Sequence, residues 1–242
     1  MKRNNMNKKG FAVLLDPDKL DPQKLDERIA AIKDSSVDYI FVGGSLISTD
    51  NMDMVLTKLS ELTDIPKILF PGNSLHVHPK ADGILLLSLI SGRNPEFLIG
   101  QHVIAAPMLK RSGLDILPTG YILVDGGRPT TVSYISNTTP VPADKPDVAA
   151  ATALAGEMLG LKYIYLDSGS GALYPVREDT IRMVKNTVNI PVIVGGGMRT
   201  KEDVYKALSA GADIIVVGNA IEKNAEFLQE VSTTVGSFNT GL

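Results

Sequence analysis

The stretch that most constrains this chain is 190–221, IPVIVGGGMRTKEDVYKALSAGADIIVVGNAI. It reads strand, glycine turn, helix, strand, glycine turn. Residues 191–194 form a short apolar β-branched run, the pattern of a strand buried on both faces. Gly195, Gly196 and Gly197 follow at its C-terminal end. Thr200 is placed to cap the helix, with Glu202 and Asp203 in its first turn and Gly211 closing it. Residues 214–217 form the next buried strand, followed by Gly218 and Asn219. Glycine lets backbone N–H groups approach an anion closely, and a helix N-terminus favours negative charge. Two such turns, one strand–helix unit apart, form a phosphate cradle; empty, they are only tight turns. In an eight-fold β/α barrel this is the position of the loops after strands 7 and 8.

The rest of the chain repeats the same alternation. Apolar strands are read at 11–15, 39–42, 67–70, 83–87, within 116–124, and at 163–166. Helical periodicity covers the segments after Pro22, at 51–62, 95–110, 147–159 and 177–187, and a last helix at 222–235. One unit is defective. Residues 73–82 carry His76, His78 and Pro79 in a segment too short for a full helix. The expectation is a (β/α)8 TIM barrel, one domain over 1–242, with the helix after strand 3 replaced by an irregular or extended segment. No GxGxxG follows the first strand, which argues against a dinucleotide-binding sheet. Residues 125–146 are polar and rich in Pro, Gly, Thr and Ser; a loop this long is usually functional, often a lid. Residues 131–135 look able to give it some strand.

Composition removes several function classes. The length of 242 residues suits one barrel, and 44% hydrophobic residues can fill its core. A net charge of −3 offers no basic field for nucleic acid. There is no cysteine, hence no disulfide framework and no thiol chemistry. The basic start MKRNNMNKKG is followed by no long apolar run, so neither a signal peptide nor a membrane span is expected, and the expected compartment is the cytoplasm.

Barrel active sites lie at the C-terminal ends of the strands. Those positions hold Asp16 and Asp18, Ser45, Asn73, then Asp167, Ser168 and Ser170, then the glycine turns. Asp16 and Ser45 end neighbouring strands, an oxygen-only pair that suits Mg²⁺; an Asx turn also accounts for Asp-Pro-Asp. Asp167 can accept a proton from a substrate hydroxyl, or serve only as a cap or ligand-positioning carboxylate. Ser168, Gly169 and Ser170 can add phosphate donors. Tyr165, two residues earlier on the same side of the strand, either reaches the same ligand or fills the core. His76 and His78 lack a third ligand, so solvated surface is the better reading of them than a metal site.

The motifs LDPDK (15–19), FVGGS (41–45), ILFPGN (68–73), SGRNPEFLIG (91–100), YLDSGSGA (165–172), VGGGMRT (194–200) and VVGNAI (216–221) occur in this order across nearly the whole chain. Together they resemble the geranylgeranylglyceryl phosphate synthases and their bacterial heptaprenylglyceryl relatives. The resemblance implies a TIM barrel lacking its third helix. It implies a Mg²⁺-dependent reaction joining a polyprenyl diphosphate to the 3-hydroxyl of sn-glycerol-1-phosphate, with an ether formed and diphosphate released. It places Mg²⁺ on Asp16 and Ser45. It places glycerol phosphate on Tyr165, Leu166, Asp167, Ser168, Gly169, Ser170 and Gly171, on Gly196 and Gly197, and on Gly218 and Asn219. Asp167 takes the catalytic role, where many family members carry Glu. Arg93 is read either as a diphosphate ligand or as a subunit contact. The prenyl chain is expected around strands 3 to 5 and the defective unit. A homo-oligomer, dimer or hexamer, and transient membrane contact are further expectations. The competing readings are a sugar-phosphate isomerase or epimerase, and a catalytically silent phosphate-binding barrel.

Overall fold

The computed structural model describes residues 8–46, 51–73, 76–218 and 224–240. Eight parallel strands close on themselves in sequence order: β1 (Gly10–Leu15), β2 (Tyr39–Gly43), β3 (Lys67–Phe70), β4 (Gly83–Leu89), β5 (Asp115–Leu123), β6 (Tyr163–Asp167), β7 (Val192–Gly195) and β8 (Ile214–Val217). The ring closes where Phe11 of β1 pairs with Ile215 of β8. Around it run α1 (Leu25–Lys33), α2 (Met52–Leu62), α3 (Gln101–Ser112), α4 (Thr131–Ser136), α5 (Pro146–Met158), α6 (Glu178–Thr187), α7 (Lys201–Ser209) and α8 (Ala225–Thr240). The expected (β/α)8 barrel is therefore the observed fold.

The alternation of side chains along each strand divides the core in two. One set, including Val42, Leu69, Leu166, Val194 and Ile215, faces the helices. The other fills the barrel interior: Phe41, Phe70, Leu85, Leu89, Leu117, Tyr121, Leu123, Tyr165, Ile193 and Val216. The interior set carries the functional end of the barrel. Asp167 and Gly195 share strand parity with Tyr165 and Ile193, so they continue the same inward rows.

Helix limits follow local chemistry. Thr200 caps α7 as expected: the Asp203 N–H donates to Thr200 Oγ1 at 3.2 Å, and the Thr200 N–H donates to Asp203 Oδ2 at 3.0 Å. Such a reciprocal cap is worth about 1 kcal/mol. Residues 131–135 are not a strand. They open α4, because the Ser133 hydroxyl folds back onto Thr130, and Asn137 at φ 49° ends the turn. The β-branched run TTV carried the wrong local signal, and hydroxyl-to-backbone bonds decided the outcome. The helix expected over 95–110 begins as a wide π turn, Glu96–Gly100, and continues as α3 to Ser112.

No helix lies between β3 and β4 among the described residues. The connection is held by side chains instead. The Gly72 N–H donates to His76 Nδ1 at 3.1 Å. His78 and Lys80 both reach Asp53 on α2, at 3.2 and 2.7 Å. The Lys67 N–H donates to Asp82 Oδ2 at 2.7 Å. Both histidines are thus partly buried anchors of the connection rather than solvated surface. Among the described residues no three His, Cys, Asp or Glu side chains gather as a metal cluster.

Candidate active site

Two cavities open at the C-terminal end of the barrel, and they share a wall. The polar chamber is lined by the ends of β1, β2 and β6 to β8. The apolar groove lies over β3 and β4, beneath α3 and α4. Phe70 and Ser45 border both. Behind Phe70 stand Tyr121, which borders the groove, and Tyr165, which borders the chamber. Their rings form one aromatic cluster, with centroids 5.4 Å apart for the two tyrosines and 5.5 and 6.3 Å from Phe70.

Asp167 lies on the chamber side of the seam between the two cavities. It is 7% exposed. Its Oδ2 accepts the Tyr121 hydroxyl, and its Oδ1 accepts the Gly169 N–H at 2.8 Å. Burial raises its carboxyl above the usual range, and these two donors partly offset that. Burial also raises both phenols well above the ordinary tyrosine value, with the nearby carboxylate adding to the effect. Tyr121 therefore remains a neutral donor at working pH.

The glycine turns pack against Asp167. Gly196 has φ +77°, and a Cβ there would stand 2.3 Å from Asp167 Oδ1 and 2.8 Å from the Ser168 and Gly169 nitrogens. Only glycine permits the β6 and β7 loops to approach this closely. Ser170, Gly171, Gly196, Gly197 and Gly218 all border the chamber. Leu166 turns its side chain to the helix shell, so only its backbone faces the barrel end. Ser168 is buried against the Gly126 backbone, with its Oγ unpartnered, and does not border the chamber. Asn219 lies outside the described residues.

Across the chamber, Asp16 Oδ1 accepts the Asp18 N–H at 3.2 Å, and Oδ2 pairs with Lys19. The turn reading of Asp-Pro-Asp is thus present, but Asp16 caps no helix; Asp21 accepts from Gln23 at the helical turn that follows. A Cβ on Gly44 would lie 3.3 Å from the Asp16 carboxylate. Glycine there leaves room beside the Asp16 carboxylate towards the end of β2, where Ser45 borders the same chamber. Asp16 and Ser45 offer the hard oxygen donors that a divalent cation takes, with Lys19 the cation now paired to Asp16.

The groove encloses about 830 Å³ including its open mouth. Ile84, Leu86 and Leu89 from β4 and Ala105 and Leu109 from α3 form its walls, with Val132 and Ile135 of α4 above. Leu86, on the helix-facing side of β4, is half-buried, because no helix among the described residues of the preceding connection covers it. His102 borders the groove and is held below its usual value by burial.

Residues 4–235 match the PcrB family. The chain belongs to the PcrB family. It is 56% identical over 232 residues to a geranylgeranylglyceryl phosphate synthase of Spirosoma linguale, covering 96% of this chain and 93% of that one. It is 41% identical to a namesake from Korarchaeum cryptofilum, covering 91% of each chain. A solved (S)-3-O-geranylgeranylglyceryl phosphate synthase of Thermoplasma acidophilum, in complex with substrate sn-glycerol-1-phosphate, superposes with a TM-score of 0.89. That structure is 35% identical, over 95% of this chain and 94% of that one.

Several groups in this PcrB-family chamber escape a reading of strand ends alone. Tyr121 lies two residues inside the end of β5, opposite Tyr165 in the register. Arg128 enters from the polar loop after β5; a Cβ on Gly171 would stand 2.8 Å from its Nη2. Arg199, within the VGGGMRT motif, borders the chamber and donates to the Ala172 carbonyl at 2.6 Å. Arg93 is elsewhere: its guanidinium donates to the Gly92 carbonyl at 2.7 Å and borders neither cavity.

Proposed function

We propose that this chain is a Mg²⁺-dependent prenyltransferase joining a polyprenyl diphosphate to the 3-hydroxyl of sn-glycerol-1-phosphate. The observation that carries the reading is an apolar groove and a polar, glycine-walled chamber that share a wall, with the buried Asp167 carboxylate on the chamber side bonded to Tyr121 on the groove side. An isomerase needs only the chamber. A transferase that brings a lipid chain to a small phosphate needs both.

In this reading the phosphate rests on the loops after β6, β7 and β8, with backbone N–H groups and Arg128 and Arg199 supplying positive potential. Asp167 accepts the proton of the 3-hydroxyl as its oxygen forms the ether bond to carbon 1 of the prenyl chain. The carbon–oxygen bond to diphosphate breaks in the same step, and diphosphate leaves with the bonding pair. The prenyl chain lies in the groove, with carbon 1 directed at the seam. Asp16 and Ser45 would hold Mg²⁺, whose chemistry is to neutralise charge on the departing diphosphate. No helix among the described residues is long and apolar enough to cross a membrane. The exposed Ile99, Val103 and Ile104 at α3, and Val148 and Met158 on α5, fit a contact between copies of the chain.

A transfer assay with Mg²⁺, geranylgeranyl diphosphate or longer donors, and each enantiomer of glycerol phosphate tests the proposal. Ether product from sn-glycerol-1-phosphate, in large excess over that from sn-glycerol-3-phosphate, is expected. No ether with any of these donors would leave only a phosphate-binding barrel.

A further inference from the structure

Asp in the catalytic position raises a problem of reach. An aspartate carries its carboxylate on a single methylene, so it has little freedom to adjust to a substrate. A short side chain must be aimed more strictly than a long one, and the structure shows what aims it. Each carboxylate oxygen has its own donor: Oδ1 the Gly169 N–H at 2.8 Å, Oδ2 the Tyr121 hydroxyl. One donor belongs to the loop that follows Asp167, and the other to the neighbouring strand. The Tyr121 ring in turn is fixed by stacking on Tyr165, with centroids 5.4 Å apart and planes at 29°, and by the edge-on Phe70. Tyr121 borders the groove while its hydroxyl reaches the carboxylate that borders the chamber.

We propose that Tyr121 is a positioning residue for ether formation, holding the Asp167 carboxylate at the seam so that a free lone pair faces the acceptor hydroxyl. The proposal rests on the prenyl-transfer reading of the site. It makes Tyr121 the physical link between the two cavities: its ring walls the donor side and its hydroxyl sets the acceptor side. The donation also favours the ionised carboxylate, the form that can take a proton. The other charged or titratable groups of the chamber are Tyr165 on the same strand, Asp16, Asp18 and Lys19 beyond β1, and Arg128 and Arg199 beyond β5 and β7. None of them replaces the Tyr121 bond.

Tyr121→Phe keeps the ring and deletes the donor. The expected result is a fall in kcat of roughly ten-fold to a hundred-fold, the range for a lost hydrogen bond to a charged group. KM for glycerol phosphate should change little, and the acid limb of the pH profile should move to higher pH. In an Asp167→Asn background the same substitution should add almost nothing, because the two groups act as a unit. Wild-type kcat and an unmoved acid limb in folded Tyr121→Phe would overturn the proposal, as would full additivity with Asp167→Asn. If the Phe variant fails to fold, 3,5-difluorotyrosine at 121 keeps the shape and makes a stronger donor. The acid limb should then move to lower pH, and an unmoved limb would overturn the proposal. Carbon-13 NMR titration of the Asp167 carboxyl reads the same coupling without turnover. A wild type that makes no ether while the titration shift is present would count against the function and not against the coupling.

Discussion

The β6–β8 side of the barrel mouth and the β3–β4 side solve opposite problems. On the first, complete strand–helix units bring backbone close to backbone. Gly196 at φ +77° leaves no room for even one more carbon. On the second, no helix lies between β3 and β4 among the described residues, and the connection is tied down by Asp53, His78 and Lys80 at its far edge. What remains is an apolar cleft walled by leucines and a small residue, Ala105. The polar side gains its selectivity from close approach, so single atoms matter there. The apolar side gains its capacity from absence, and it should tolerate change until the void is filled.

The sharpest test of this contrast is Gly196→Ala. The added Cβ meets Asp167 Oδ1 and two loop nitrogens at once, and alanine is strained at that φ. It displaces the carboxylate together with the backbone donors of the phosphate loop. Turnover should fall on the order of a thousand-fold or more, read as kcat/KM for glycerol phosphate, with a lowered Tm. Near-wild-type turnover would break the comparison outright, because the close approach would then be incidental.

Asp167→Asn comes next. It preserves the shape of the seam and removes the proton acceptor, so the rate should drop about a hundred-fold or more. Mg²⁺ binding, followed by calorimetry, should be unchanged, since Asp16 and Ser45 belong to the opposite wall. Chelation with EDTA should abolish ether formation and spare glycerol phosphate binding. An Asn variant with an unchanged steady-state rate would remove the base assignment. One that lost Mg²⁺ as well would place the metal on the wrong wall.

How much of this was legible beforehand follows from the same contrast. The strands announce themselves as short β-branched runs, and the glycine turns as clusters that only special backbone needs explain. The missing helix was legible from length, because 73–82 holds too few helix-forming residues. Tyr121 was not, since nothing local separates a buried tyrosine with a core role from one whose hydroxyl meets a carboxylate 46 residues away. Only the register, which sets Tyr121 beside Tyr165, brings them together. Arg128 depends on a loop whose path is set by long-range bonds, such as the Asp125 N–H to the Val141 carbonyl at 2.9 Å. The strand expected at 131–135 failed for the converse reason: serine hydroxyls supplied local bonds that β-propensity ignores. Leu166 and Ser168 came in with the resemblance as part of a continuous segment; Leu166 turns to the helix shell and Ser168 is buried beside Gly126, so neither side chain borders the chamber.

The apolar side is tested by Ala105→Phe. The new ring enters the groove opposite the β4 leucines, and each methylene kept out of an apolar site forfeits about 0.8 kcal/mol. The longest prenyl donor the wild type accepts should lose about ten-fold in kcat/KM, shorter donors should lose less, and KM for glycerol phosphate should stay put. Equal losses for short and long donors would mean that the cleft is not the prenyl site.

The smallest effect concerns the pH dependence of stability. Burial raises the folded-state Asp167 carboxyl above the ordinary carboxylate range. A carboxyl raised on folding is one the fold prefers protonated. Its stabilising contribution is therefore complete below the ordinary carboxyl range, is lost as pH rises through the raised value, and stays lost at neutrality. Asn at 167 keeps the shape and does not titrate. The Tm of Asp167→Asn minus that of wild type should accordingly be larger at pH 7 than at pH 3.5. A difference of 1 kcal/mol moves the midpoint of a chain this size by about 2–4 °C, within reach of calorimetry. The opposite sign would mean that Tyr121 and Gly169 outweigh burial, and that the seam is built to stabilise a charge rather than to tolerate one. In that case Tyr121→Phe should destabilise the protein more at pH 7 than at pH 3.5, which the same scans would read.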